Sequence, residues 1–311
     1  MRVLVTGGAG FIGSNLVHAL VGEHEVGVID DLSTGHAENL HPATWTRTMD
    51  ILDDRLVSAI AEFGPEVVVH LAAQSSVPRS LEDPEFDWAV NVDGTRAVAA
   101  AAAAAGARRV ISASSAAVYG DPVELPLTEC AQKDPVNPYG GSKMAAEQVL
   151  AEELASTKTD FASFRFSNVY GPRQDAKGEG GVVALFCAAL TEGRPPTIYG
   201  TGEQTRDFIY VGDVASAIIT AIGYQGSLRD SGQCGPAYNI STGEEISVAT
   251  LAAKLRPIAS FYGEFDSENA RPGDVQRSAL DASKARDTFA WDARVPLEAG
   301  LSATYRWFKK S

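Results

Sequence analysis

Across the first 170 residues, short apolar runs alternate with longer helical stretches in an unbroken rhythm. The runs at 2–6, 25–30, 66–70, 108–113 and 160–166 are bounded by turn or charged residues, the pattern of strands buried on both faces. Between them, 11–21, 53–63, 83–105 and 142–156 read as helices. A chain that alternates in this way buries its apolar surface as a parallel sheet with helices on both sides. Beyond Gly171 the rhythm loosens into Gly- and Pro-containing loops, with helices expected near 182–192, 211–224, 248–256 and 297–309. The expected organisation is a larger unit over 1–170 and a smaller mixed α/β unit over 171–311. Part of the second stretch, about 205–240, is expected to return to the first sheet.

Charge narrows the function classes. The 311 residues carry 26 Lys+Arg against 40 Asp+Glu, a net −14 at pH 7, which is no footprint for nucleic acid or an anionic membrane. An anionic substrate would need arginines placed locally against that field. Cys130, Cys187 and Cys234 stand apart with no CxxC spacing, which predicts free thiols in a reducing compartment. The five histidines form neither an HExxH nor a Cys/His cluster, so no metal site is expected. No run approaches the roughly 18 apolar residues of a membrane span, and the few residues before the first motif are too short for a signal-peptide core. The expectation is a cytoplasmic protein.

The first expected strand runs into Thr6-Gly-Gly-Ala-Gly-Phe-Ile-Gly13. Gly7 suits a tight turn, Gly10 lets backbone approach a pyrophosphate, and Gly13 lets the following helix pack on the strand, with the helix N-terminus facing the phosphates. Asp30 ends the second strand, where a carboxylate accepts both ribose hydroxyls of an adenosine. Asp31 follows, with no adjacent arginine for a 2′-phosphate, which favours NAD over NADP. Asp50 and Ile51, after a third strand, are candidates for the adenine pocket.

Tyr139 and Lys143 lie four apart, on one face of the helix that follows Pro138. Half-ionising a phenol of pKa near 10 at pH 7 takes about 3 units, or roughly 4 kcal/mol. One cation about 4 Å away supplies on the order of 4 kcal/mol at an effective dielectric of 20. Lys143 beside an oxidised nicotinamide would make Tyr139 a base. Ser114 and Ser115 end an intervening strand.

With these motifs the chain resembles the extended short-chain dehydrogenase/reductase family and, within it, the nucleotide-sugar 4-epimerases. The likeness continues through His70-Leu-Ala-Ala-Gln74, Asn91-Val-Asp-Gly-Thr95, Ser114-Ser-Ala-Ala-Val-Tyr-Gly120 and Arg165-Phe-Ser-Asn-Val-Tyr-Gly-Pro172. It ends with Arg206-Asp-Phe-Ile-Tyr-Val-Gly-Asp213, Asn239-Ile-Ser-Thr-Gly243 and Arg271-Pro-Gly-Asp274. The resemblance implies a Rossmann-type doubly wound parallel sheet with a smaller C-terminal substrate domain. It also implies an enzyme that holds NAD tightly, acts on a UDP-sugar and pairs as a homodimer through the 83–105 and 142–156 helices.

Carried over by position, it makes Tyr139 the base, Lys143 its electrostatic partner and Ser115 the hydrogen-bonder to the sugar hydroxyl. Phe11, Ile12, Leu32, Ser33, Thr34, Gly35, Leu71, Ala72, Ala73, Gln74, Asn91 and Phe166 join the cofactor groove. Ser75, Ser76, Asn168, Val182, Val183, Thr197, Tyr199, Gln204, Arg206, Arg271, Asp274 and Ser278 fall to the substrate, with the arginines on the diphosphate and Asp274 on the uridine ribose. A pyrophosphate held by guanidinium forks is what an otherwise acidic protein requires.

Within that family, water-eliminating members resemble Thr-Asp-Glu-Val-Tyr-Gly after the serine position, and decarboxylating members carry a glutamate there. This chain has Ala116 and Ala117, and a methyl group cannot transfer a proton. The implied reaction is reversible epimerisation at C4 of UDP-galactose and UDP-glucose through a 4-keto intermediate. Ser278 aligns with a gate that is small in members also accepting N-acetylated sugars, so UDP-GlcNAc and UDP-GalNAc are second substrates. Asp175 stands where uronate-using members carry an arginine, and a carboxylate facing UDP-glucuronate would repel it. A net dehydrogenase that exchanges its cofactor is the rival enzyme reading.

Overall fold

The computed structural model describes residues 1–176, 181–230, 232, 234–270 and 275–310. Seven parallel strands form one sheet: β1 (Arg2–Thr6), β2 (Glu25–Asp30), β3 (Trp45–Thr48), β4 (Val67–His70), β5 (Arg109–Ser115), β6 (Asp160–Phe166) and, much later, β11 (Ala237–Ile240). Their spatial order is β11-β6-β5-β4-β1-β2-β3, so the chain winds outward in both directions from the gap between β1 and β4. In an open parallel sheet that reversal point leaves a crevice at the carboxyl ends of the strands.

On one face α1 (Phe11–Leu20), α8 (Val211–Gly223) and α10 (Ser283–Phe289) cover a core that includes Val3, Val5, Leu16, Ile218 and Phe289. On the other, α2 (Leu56–Phe63), α5 (Gly94–Ala104) and α6 (Pro138–Leu154) cover Leu4, Ile60, Val68, Val98 and Leu150. Short pieces complete the chain. They are α3 (Val77–Glu82), α4 (Pro84–Trp88), β7 (Asn168–Tyr170), β8 (Thr197–Tyr199), β9 (Thr205–Arg206), β10 (Phe208–Tyr210), β12 (Ile246–Ser247) and β13 (Asp266–Glu268). A separate apolar cluster around Tyr170, Phe186, Leu251 and Leu301 joins α7 (Val182–Thr191), α9 (Val248–Ala259) and α11 (Leu297–Phe308). Among the described residues, no helix is long and apolar enough to cross a membrane.

The helix expected over 83–105 is present as a continuous run over 84–104, α4 and α5 being joined through a π-helical stretch, Ala89–Asp93. Two expectations are corrected here. The helix expected from 142 begins at Pro138, because Asn137 caps it by accepting from the Gly140 N–H at 2.9 Å. Proline suits that first position, where its missing N–H costs nothing. The cysteines are not all free: Cys130 and Cys234 form a disulfide across 104 residues, leaving Cys187 as a buried thiol. The fold brings them together because Glu129 Oε1 accepts from the Asn239 N–H at 2.8 Å, which docks the segment carrying Cys130 on β11. A reducing compartment, inferred from unpaired thiols, loses that support.

Candidate active site

Along the β1–α1 turn, backbone packs on backbone. Gly7 has φ +72°, and a Cβ there would lie 2.6 Å from the Ala72 nitrogen in the segment leaving β4. The Gly10 N–H donates to Gly7 O at 3.2 Å, and no side chain caps the start of α1. The first-turn N–H groups of Phe11 and Ile12 are therefore left to an anion, with the helix dipole behind them. Asp30, at the end of β2, is buried; its oxygens accept from the N–H groups of Ala9 at 2.8 Å and Leu32 at 2.9 Å. Burial pushes its carboxyl above the ordinary value, against those two N–H groups. A turn shaped by glycine, an uncapped helix and an oriented carboxylate at the end of the neighbouring strand β2 fit a dinucleotide.

Around this turn the other expected cofactor residues divide. Asp31 accepts from the Ser33 N–H at 3.0 Å and hydroxyl at 2.7 Å, bending the exposed loop that continues through Thr34 to Gly35. Leu71, Ala72 and Ala73 are half-buried along the crevice. Asp50 accepts from the Leu52 N–H at 2.9 Å, whereas the Ile51 side chain belongs to the core under α2 and α5. Phe166 is likewise a core residue, paired across the sheet with Ser115.

Asn91 is held by hydrogen bonds at both polar atoms of its side chain. It sits in the π-helical stretch, buried, with its amide donating to Gln74 O at 2.9 Å, Ser142 Oγ at 3.0 Å and Asp87 Oδ1 at 3.2 Å. Its Oδ1 accepts from the Gln74 N–H at 3.0 Å. Its side chain therefore braces the 71–74 segment against α6. Gln74 is spent similarly, on Asp87 Oδ1 and the Ser76 peptide.

A second chain of hydrogen bonds runs beneath. Thr95 donates to Asn91 O at 2.6 Å, so its oxygen accepts from His70 Nε2–H at 3.1 Å. His70 Nδ1 then accepts from the Thr6 hydroxyl at 2.7 Å. Burial, with Lys143 adding to it, pushes His70 down to about 3, so it stays neutral and holds the ends of β1 and β4 together.

The three expected catalytic residues sit on two adjoining elements. Ser115 ends β5, and its Oγ accepts from the Ala117 N–H at 3.1 Å, which leaves its own proton as the group to offer a ligand. Tyr139 lies in the first turn of α6; its N–H donates to Ser80 Oγ at 3.2 Å and its carbonyl accepts from Ser142 Oγ at 3.0 Å. Lys143 is buried one turn on, its Nζ donating to Ala113 O at 3.3 Å and tying α6 to β5. A third member of this helix face, for which no sequence motif speaks, is Glu147, one further turn along.

Expected substrate residues lie on the next tier of the chain. Asn168 is exposed at the start of β7, its N–H donating to Asp207 O at 2.8 Å. Arg206 is half-buried on β9, paired with Ile246. Gln204 donates to Tyr199 O at 2.8 Å, and Thr197 and Tyr199 are half-buried on β8. Ser76 caps α3 by accepting from Arg79 N–H, Ser75 is exposed beside it, and Ser278 is half-buried. Val182 opens α7 half-buried, but the Val183 side chain lies in the apolar cluster with Tyr170. Its peptide, not its side chain, is what it can present. Arg271 and Asp274 lie outside the described residues.

Asp207 also went unremarked in the sequence. Fully buried, it accepts from Thr242 N–H and Oγ1–H, Gly243 N–H and Ser167 Oγ–H, at 2.7 to 3.2 Å. It thereby ties the chain next to Arg206 to the 242–243 backbone and to Ser167, the residue before Asn168. Its position next to Arg206 was the available signal.

Comparison with known proteins agrees with this geometry. The NAD dependent epimerase/dehydratase family matches residues 3–241. A UDP-glucose 4-epimerase from Mycolicibacterium smegmatis is 42% identical over 316 residues, covering 99% of each chain. A crystal structure of UDP-glucose 4-epimerase with UDP-glucose from Thermotoga maritima superimposes with a TM-score of 0.94 at 36% identity, over 100% of this chain and 99% of that one. A UDP-N-acetylglucosamine 4-epimerase from Methanobrevibacter ruminantium, in complex with UDP-N-acetylmuramic acid, gives a TM-score of 0.91 at 32% identity, over 99% and 97%.

Proposed function

Because this chain belongs to the NAD-dependent epimerase/dehydratase family, we propose that it inverts C4 of a UDP-hexose, interconverting UDP-galactose and UDP-glucose. The observation that carries this reading is the turn after Ser115. There Ala116 and Ala117 open a 3-10 turn, Ala116–Tyr119, at the positions where acids would serve elimination or decarboxylation. Methyl groups move no protons, so oxidation at C4 followed by reduction at C4 is the chemistry left to the site.

When bound, NAD supplies the hydride acceptor and then the donor. Gly7, Gly10, Gly13 and Asp30 are assigned to hold it, with Leu71 to Ala73 along the groove. At the sugar, Tyr139 Oη takes the O4 proton and later returns it. Lys143, one helical turn away, favours the phenolate through its charge. Ser115 donates to the sugar oxygen. Asn168, Gln204 and Arg206 are assigned to the diphosphate, together with Arg271, and Asp274 to the uridine ribose. A firm hold on the nucleotide and a loose one on the hexose lets the 4-keto sugar turn over about its diphosphate link. No net redox results, so the cofactor need not exchange between turnovers. We assign the cluster joining α7, α9 and α11, with the loops around it, as a substrate domain.

A second reading, turnover of UDP-GlcNAc and UDP-GalNAc as well, is favoured by Ser278, which leaves room for an acetamide, and by the likeness to a UDP-N-acetylglucosamine 4-epimerase. Asp175 disfavours UDP-glucuronate. The test is incubation of the purified protein, with no added NAD, with UDP-galactose, UDP-GalNAc and UDP-glucuronate separately, followed by proton NMR. Conversion of UDP-galactose is expected; no reaction with any of the three would overturn the assignment. Ser278→Tyr is expected to cut UDP-GalNAc turnover by at least about tenfold and to leave UDP-galactose within a few-fold. Equal losses on both sugars would show that residue 278 is no gate.

We also assign a homodimer through α5 and α6. Nearby Leu81 and Trp88 are 63% and 50% exposed, an apolar cost for a lone chain. Light scattering at micromolar concentration should give twice the chain mass, and a monomer mass would refute the pairing.

A further inference from the structure

Midway along the active-site helix, beyond the Lys143 contact with β5, one carboxylate fastens the helix to the ends of two strands. Tyr139, Lys143 and Glu147 follow one another at four-residue spacing on α6, so they share a face. Glu147 Oε1 accepts from Ser114 Oγ at 2.7 Å and from Arg165 Nε at 2.7 Å, and Oε2 accepts from Arg165 Nη2 at 2.7 Å. Lys133 Nζ adds a longer contact at 3.4 Å. Ser114 and Arg165 face each other in the β5–β6 ladder, immediately before the paired residues Ser115 and Phe166. Two adjacent strands, at the point where the site begins, therefore end on the same group.

Arg165 has no slack. Its remaining Nη1 donates to Tyr119 Oη at 2.8 Å and Glu129 O at 3.1 Å. The Glu147 and Arg165 side chains are 9% and 3% exposed. Burial alone would raise the Glu147 carboxyl; the Arg165 fork and Ser114 outweigh it and hold the carboxyl below its ordinary value, keeping the clamp charged. A planar bidentate pair permits less sliding and rotation than an apolar contact of equal area.

We propose that Glu147 is a positioning residue for the C4 reaction: by fastening α6 to the ends of β5 and β6, it sets the depth and rotation at which Tyr139 stands opposite Ser115. The inference rests on the roles proposed above for those two residues. Catalysis by a pre-placed base is lost steeply with displacement, about a hundredfold for 1 Å. A clamp that only stabilised the fold would change the amount of active protein and not the course of the reaction.

Glu147→Gln keeps the volume and an acceptor for Ser114 but turns a donor toward Arg165. Turnover is measured with UDP-galactose and with UDP-galactose deuterated at C4, and kcat is normalised to protein-bound NAD. The expected result is a fall in normalised kcat of about ten- to a hundredfold, with KM within about twofold and a deuterium effect larger than in the parent, as hydride transfer becomes limiting. A normalised kcat within twofold of the parent, or an unchanged deuterium effect, overturns the inference. If Glu147→Gln does not fold, Ser114→Ala removes one bond of the clamp alone. There a fall of at least about threefold with a raised deuterium effect supports it, and parent-like values on both overturn it. Absence of turnover by the unsubstituted protein would overturn the proposed function and this inference together. Turnover by the parent with silent variants overturns this inference alone.

Discussion

Tyr139→Phe will lower turnover of UDP-galactose by about 10²–10⁴-fold, the contribution of a positioned proton-transfer group, while leaving the fold and the bound NAD in place. The substitution removes one oxygen. The contacts that set the start of α6 are made by the Tyr139 backbone, through its N–H to Ser80 and its carbonyl to Ser142, and by the Asn137 cap. A Phe ring keeps all of them. Rate by proton NMR, with NAD content by absorbance after denaturation, separates loss of proton transfer from loss of cofactor. Retention of more than a tenth of the parent rate would remove Tyr139 from the role of base.

The second large effect is expected at Gly13. An added Cβ there would lie 2.0 Å from Gly7 O and 2.8 Å from both the Gly7 carbonyl carbon and the Gly8 Cα, all backbone atoms that cannot swing aside. To admit even a methyl group, α1 must lift from β1. That displaces the first-turn N–H groups of Phe11 and Ile12 and the packing of Leu16, Val17 and Leu20 behind them. Gly13→Ala is expected to purify without NAD and to lose about 1–3 kcal/mol of stability, the usual cost of forcing extra atoms into a packed site. Gly223→Ala, where a Cβ meets nothing within 4 Å, is the control and should match the parent. Full NAD content in Gly13→Ala would contradict the dinucleotide reading of the turn.

How much of this was legible depends on which residues carry local signals. The buried strands were readable because each is a short apolar run between polar boundaries, and the glycine turn because its spacing, its strand and its helix all agree. The π-helical stretch inside the 83–105 helix was not. Nothing within 89–93 breaks a helix, and the π-helical stretch goes with tertiary bonds from Asn91 to Gln74 and Ser142. The same bonds hold Asn91, expected in the cofactor groove, against the 71–74 segment that borders it. Motif position fixes where Val183 and Ile51 stand in the chain, and only packing turns their side chains inward. The Cys130–Cys234 pair was invisible for the opposite reason: a separation of 104 residues has no local pattern. Glu147 and Asp207 stood next to recognised motifs, but a carboxylate in sequence does not disclose the donors that converge on it.

Inversion at C4 by this route requires that hydride leave and return at the same carbon. UDP-galactose carrying deuterium at C4, incubated in ordinary water with the purified protein and no added NAD, tests this directly by NMR and mass measurement of the product. The expected product is UDP-glucose that keeps its deuterium at C4, because the hydride stays within the site between removal and return. Product with hydrogen from water at C4, or consumption of UDP-galactose with accumulation of an oxidised sugar, would contradict it.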